Sequence, residues 1–522
     1  MRGRDRVANA LIAVALCLPS AAGLAETGTD PLAADPHLQV VPRTADEAAR
    51  IASVTAPTTN FSAPEKFEAN PGGGATVRVL PTADAFSQFS ANLSFEDELR
   101  FKLGNGLFRK LWVSSPSSTL ASDGLGPLYN ARGCQSCHLK DGRGQPPLPG
   151  ESSAHSMLIR LSVPAEAAIG EVADYLASRD ATPPEPAAPH PVYGGQLQPL
   201  ATPGKLPEGQ VGVTWTEEPF TFPDGATASL LRPDWWVEDP QFGPLGEGAM
   251  ISPRIAPQMI GLGLVEAIPA ADILANEDPQ DADGDGVSGR AAVVKSPEFD
   301  RLMLGRFGLK AGAATIREQS AAAFSGDIGI SSPLFPNPWG ECTMAETDCI
   351  AGPHGDGDAR GTEIDEEGLS LVAFYARNLA VPARRDLDDP QILAGKTLFY
   401  DTGCIACHRP KFVTARLADR PEQSFQLIWP YSDFLLHDMG EGLADHRPEG
   451  RATGREWRTA PLWGIGLTGQ VSGHTRFLHD GRARNLTEAV LWHGGEAEGA
   501  RDRFVTLPAE DRAALIRFLE SL

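Results

Sequence analysis

Apolar residues recur at three-to-four spacing in only a few parts of this 522-residue chain. Phe101, Leu107, Phe108 and Leu111 form one such stripe. Leu371, Phe374, Tyr375 and Leu379 form a second, which Pro382 should close because proline cannot continue a helix. Gly395, Leu398 and Phe399 lie in a third, and Leu515, Phe518, Leu519 and Leu522 end the chain in a fourth. Each pattern predicts an amphipathic helix. Strand-like alternation is confined to GVTWT and to FTFPDGATASLL, where Pro223-Asp224-Gly225 makes a turn between two apolar runs. These predict a small β insertion. The Pro-rich run TPPEPAAPHP near 182–191 must be loop. The expected fold is therefore mainly α with many loops.

Cysteine adds the first chemistry. Cys134-Gln135-Ser136-Cys137-His138 and Cys404-Ile405-Ala406-Cys407-His408 are two C-x-x-C-H motifs. Paired thiols can form thioethers to a porphyrin, and the adjacent histidine can reach its iron; that histidine separates haem attachment from other C-x-x-C uses. A four-cysteine zinc site sets its pairs about 12–20 residues apart, far closer than these two lie. A thioredoxin-type pair does not require the histidine. Two covalently bound haem c groups are the expected cofactors. Each motif follows an apolar helix and is followed by a long irregular stretch and an amphipathic helix, so two cytochrome c-like haem domains are expected. They cover 95–385, with the β insertion, and 386–522.

The N-terminus adds a location. Arg2, Arg4 and Arg6 precede an apolar stretch from Val7 to about Leu18, and Gly23-Leu24-Ala25 offers small residues for cleavage. Residues 1–25 read as a secretory signal peptide, which places the mature protein in the periplasm. Residues 26–94 show little periodicity and are expected to be an extended N-terminal arm. No later segment reaches the apolar length of a transmembrane helix. In an oxidising compartment Cys342 and Cys349 are expected to pair as a disulfide. The net charge of -23 makes nucleic acid a poor partner. It suits a basic redox partner but equally serves solubility.

A sixth iron ligand, or its absence, decides whether a haem moves electrons or opens to peroxide or oxygen. Candidates are His155, His437, Met439, His446, His474, His479 and His493, then His190 and His354. Asp281, Asp283 and Asp285 alternate in DADGDG, a pattern suited to calcium, with Asp278 able to add an oxygen. Position twelve, where an EF-hand has glutamate, is Ala292. A solvated acidic turn is the alternative.

The stretches LYNARGCQSCHLKDGRG, SPRIAPQMIGLGLVEAIP, DPQDADGDGVSGR, EWRTAPLWGIG and FLHDGRARNLTEAVLWHGGEA resemble the di-haem oxidoreductase family, often labelled a thiol oxidoreductase. It is similar to bacterial di-haem cytochrome c peroxidases and to the di-haem enzyme that matures methylamine dehydrogenase. The likeness runs from about residue 95 to the C-terminus. It implies a peroxidase-like oxidoreductase: the C-terminal haem transfers electrons, and the N-terminal haem meets peroxide or oxygen. Phe477 to Ala489 matches the segment that precedes the sixth ligand of the second haem in the peroxidases, which puts His493 in that role. The stretch carrying Gln319 and Asp327 resembles the catalytic segment beside the first haem, so these become the candidate acid–base pair. The tryptophan between the haems of those enzymes would fall at Leu309, where this sequence departs. His155 stands at the offset of a displaceable distal ligand. A pure electron-transfer cytochrome and a di-haem oxygenase are the competing functions.

Overall fold

The structure is a computed structural model that describes residues 30–119, 122–148, 156–167, 170–179, 185–355 and 361–522. The signal peptide and His155 lie outside them. Among the described residues, thirteen α-helices and several small separate sheets are joined by long irregular stretches.

One helix crossing is built twice. The helix Phe95–Phe108 starts on a Ser94 cap and packs against Glu366–Arg377. At Gly104 the backbones approach so closely that a Cβ would stand 2.2 Å from Leu371 O and 2.8 Å from Tyr375 Cβ. The helix Pro390–Asp401, with an Asp389 cap and proline in its first turn, packs in the same way on Ala509–Ser521. Here a Cβ on Gly395 would stand 2.0 Å from Ala514 O and 2.9 Å from Phe518 Cβ. In both pairs the aromatic residue four positions after the glycine, Phe108 or Phe399, meets the partner helix's aromatic, Tyr375 at 5.1 Å or Phe518 at 5.2 Å. Glycine is required because only a bare Cα lets two helices cross at this distance.

The periodic pattern located these helices but misplaced their ends. Leu111 lies beyond the first helix and is 57% exposed. The second stripe ends at Arg377, before Leu379 and Pro382, because Asn378 closes it by bonding Phe374 O through both backbone and side chain.

The expected β insertion is a long antiparallel hairpin, Gln210–Thr221 with Thr227–Glu238. Its turn uses Gly225 at φ +87° and the Asp224 side chain, which accepts from Ala226 N. The hairpin tip reaches the C-terminal half: Phe222 joins that half's core, and Asp224 pairs with Arg512. A second sheet pairs Met157–Pro164 with Met250–Ile255.

The N-terminal segment departs from the expected extended arm. It holds a capped helix, Ala45–Thr55, and its later part is tied into the body. Glu68 is 1% exposed and pairs with Arg384 and Lys396; Glu65 pairs with Lys396 and Lys411. Scattered single contacts of this kind leave no period in the sequence, which is why the segment looked structureless.

Candidate functional site

The two motifs adopt matching conformations. Each begins with a 3-10 turn, Cys134–Ser136 or Cys404–Ala406, closed by the histidine N–H donating to the first cysteine's carbonyl at 3.0 and 2.9 Å. His138 Nδ1 lies 2.9 Å from Pro257 O, and His408 Nδ1 lies 2.8 Å from Tyr431 O. A ring nitrogen that donates to a carbonyl fixes the tautomer and leaves Nε2 with its lone pair, the arrangement of an iron-ligating histidine. Phe108 stands 6.3 Å from the His138 ring and Phe399 stands 6.2 Å from the His408 ring. Burial lowers both imidazoles to about 4, so each is neutral at pH 7. None of the four cysteines is in a disulfide. Burial, then the Asp327 carboxylate, push Cys134 and Cys137 up to about 12. These donor sets fit a covalently held porphyrin.

His493 follows the Asn485-capped helix Leu486–Leu491. Its Nδ1 is 2.7 Å from Ala489 O, which again commits one ring nitrogen and leaves the other. Burial lowers its pKa, and it lies close enough to His408 for its charge to disfavour protonation there. Other histidines are already engaged. His437 is buried between Asp433 at 2.8 Å and Glu496 at 2.7 Å, rather than bonded to its neighbour Asp438. Its Nδ1 is also 3.6 Å from Cys407 Sγ. Burial opposes charging it, but Asp433 and Cys407 together outweigh burial and raise its pKa well above the usual value. His479 stacks on Trp457 at 3.9 Å, and His190 Nε2 meets Leu245 O at 2.9 Å. His474 Nε2 is 3.3 Å from Arg143 O, and His446 forms an exposed pair with Glu441.

Asp327 sits in a π-helical turn, Phe324–Ile328, that continues the helix Ile316–Ala323. Its carbonyl accepts from Asn130 and Ala131 N, which fixes it beside the first motif. Burial raises its carboxyl above the usual range. Gln319 does not hydrogen-bond it; the Gln319 Oε1 lies beside Gly308 instead. The amide that meets Asp327 is Gln196, whose Nε2 donates to Asp327 Oδ1 at 2.8 Å. Gln196 comes from the loop after the Pro-rich run, and no motif announced it. Trp457 was missed in the same way: it lies in the strand Glu456–Arg458, whose Arg458 N donates to Leu309 O at 3.0 Å, next to the position expected to hold tryptophan.

Cys342 and Cys349 are joined by a disulfide with Cα atoms 6.3 Å apart. In the acidic loop, oxygens of Asp278, Asp281 and Asp283 come within 4.8 Å of one another. Asp285 turns away to cap Val287 N at 2.8 Å.

Two half-buried Cys-x-x-Cys-His turns with carbonyl-anchored histidines define a haem oxidoreductase. The chain belongs to the di-haem oxidoreductases: residues 67–522 match the family described as "Di-haem oxidoreductase, putative peroxidase". The match starts within the segment expected to be an arm, in keeping with its ties to the body. Among curated proteins none matches the chain. Among solved structures, a hydrazine synthase of Kuenenia stuttgartiensis, pressurized with xenon, is 16% identical over 36% of this chain and 65% of that one, at a TM-score of 0.23. Among the described residues no helix is long and apolar enough to cross a membrane.

Proposed function

We propose that this chain is a periplasmic di-haem peroxidase. One haem c is held by Cys134, Cys137 and His138, the other by Cys404, Cys407 and His408. The observation that carries this reading is the doubled frame: a Gly-x-x-x-Phe helix crossing, a 3-10 turn and a histidine anchored by a backbone carbonyl, each occurring twice. The haems supply an iron that binds peroxide and a reservoir for electrons.

The residues divide the work. His493 would hold the second haem through its uncommitted ring nitrogen, and that haem would carry electrons accepted from a reduced redox protein or small donor. Near the first motif Asp327 holds a carboxyl whose raised pKa suits moving a proton between the oxygens of a bound peroxide. Gln196 orients that carboxyl. Gln319, on the preceding helix, stands beside Gly308 and does not bond that carboxyl. His155 is the proposed displaceable ligand on the first iron.

Optical and EPR spectra of the oxidised and half-reduced holoprotein test this reading. The expected result is a first haem that binds carbon monoxide after partial reduction, and peroxide-dependent oxidation of a reduced cytochrome. Two permanently low-spin haems that ignore both ligands would show an electron-transfer cytochrome instead.

We also propose that Asp278, Asp281 and Asp283 hold calcium. Ser288, just after this loop, donates through N and Oγ to Glu496, the carboxylate that also holds His437 against Cys407. Removing calcium should therefore loosen the second motif. A chelator is expected to lower Tm and shift the second haem's spectrum, with calcium restoring both. An unchanged melt and spectrum would leave the loop an acidic turn.

A further inference from the structure

Behind the first motif lies a group of buried oxygens that lack protein partners. Gln196 is wholly buried, and its Nε2 donates to Asn130 Oδ1 at 2.6 Å, Gly326 O at 3.0 Å and Asp327 Oδ1. The Gln198 amide donates to Gly326 O at 2.7 Å. The amide oxygens of both glutamines, Glu341 Oε2 and Glu346 Oε1 are buried with no hydrogen-bond partner. A buried oxygen left unsatisfied is costly, so those beside Gly326 signal ordered water.

Two of these side chains meet at one glycine. A Cβ on Gly326 would stand 3.6 Å from Glu341 Oε1 and 3.8 Å from Gln196 Oε1, and one on Gly195 would stand 3.3 Å from Glu341 Oε2. Gly326 directly precedes Asp327. The Glu341 side chain keeps 29% of its surface exposed, so it links this gap to solvent. It is held there by Cys342–Cys349, the disulfide immediately after it, and by Thr343, whose hydroxyl donates to Val192 O at 2.6 Å.

We propose that Glu341 is the proton entry to the first haem site, passing protons through water beside Gly326 to Asp327, with Gln196 as the positioning residue that holds Asp327 in line. This rests on reading the first haem as the peroxide site. Reducing peroxide to two waters takes two electrons and two protons. The electrons come from the reduced donor through the second haem. Each proton leaves a Glu341 oxygen for the water, which releases one of its own to the Asp327 carboxylate; Asp327 gives the first to the departing peroxide oxygen and the second to the oxygen left behind, so that each leaves as water. Glu341 is recharged from solvent.

The charged and titratable groups facing this route are Arg160, 3.7 Å from Glu341, then Glu449, Glu208, Glu346, Tyr193 and the two thiols of the motif. Burial and the neighbouring Glu346 raise Glu208 well above the usual carboxylate value. The small disulfide loop thus has a task beyond stability: it carries Glu341 and Glu346 to the site.

Two variants of the di-haem holoprotein test the route. Glu341→Gln removes the exchangeable proton but keeps the shape. Gly326→Ala fills the gap with a methyl at ordinary contact distances. Unaltered optical spectra of both haems establish that each variant is folded. Each should slow peroxide-dependent oxidation of a reduced cytochrome at least tenfold and steepen its decline with rising pH, and formic acid should restore the Glu341→Gln rate. Independently of turnover, infrared difference spectra on reducing the first haem should show a deuterium-sensitive carboxyl band that Glu341→Gln removes. Wild-type rates and pH profiles in both variants, or no such band, would overturn the relay. A wild type inert to peroxide would refute the peroxidase reading alone, because the infrared band decides the relay separately.

Discussion

Replacing His493 with Ala should convert one haem, and only one, from low to high spin. The proposed arrangement makes this specific. His493 presents one ring nitrogen, the other being bound to Ala489 O, and it lies near His408 in a buried setting. Burial keeps it neutral at pH 7, the form able to coordinate iron. Two imidazoles on one iron give a low potential, so opening the second position should also raise that haem's midpoint potential. EPR and redox titration of the variant measure both effects. A second haem that stays low-spin, with its potential unmoved, would refute the assignment and return attention to Met439.

Replacing Glu266 with Gln should cost more stability than any other single change outside the haem sites. Glu266 is fully buried and accepts from Arg377 Nε and Arg420 Nη1, both at 2.7 Å, and from Ile316 N at 2.8 Å. It therefore ties the first half, the second half and the start of the helix leading to Asp327. Breaking a buried ion pair from one side typically costs about 3–5 kcal/mol because the partner charge stays buried. Two arginines would be stranded here. Burial alone would raise the Glu266 pKa, but Arg377 and Arg420 outweigh it and hold the carboxyl far below its usual range. A depressed folded pKa gives stability that is full above the unfolded value of about 4.3 and fades as pH falls below it. The gap in Tm between wild type and Glu266→Gln should therefore be widest near pH 7 and shrink toward pH 3. A gap that is small at pH 7, or that grows on acidification, would show that the arginines find other partners.

The sequence was most legible where chemistry is local. A haem motif spans five residues, and its 3-10 turn needs nothing from elsewhere, so both motifs could be read directly. The four apolar stripes and the Pro223-Asp224-Gly225 turn were legible for the same reason: periodicity and turn chemistry act over a few positions. Helix ends were less so, because Asn378 ends its helix before Pro382 is reached.

What the sequence alone determined is therefore the pair of Cys-x-x-Cys-His turns, the helices that flank them, and membership of a family whose pattern runs through the chain. Only the tertiary structure decided which groups face each motif. Pro257 and Tyr431 anchor the histidines from 119 and 23 residues away. Gln196, not Gln319, meets Asp327 from 131 residues away, and Glu341 reaches the same gap from a disulfide loop. The physical reason is that a hydrogen bond between distant segments imposes no spacing on the chain. A glutamine held by a buried carboxylate and one in water look the same in sequence, and only folding distinguishes them.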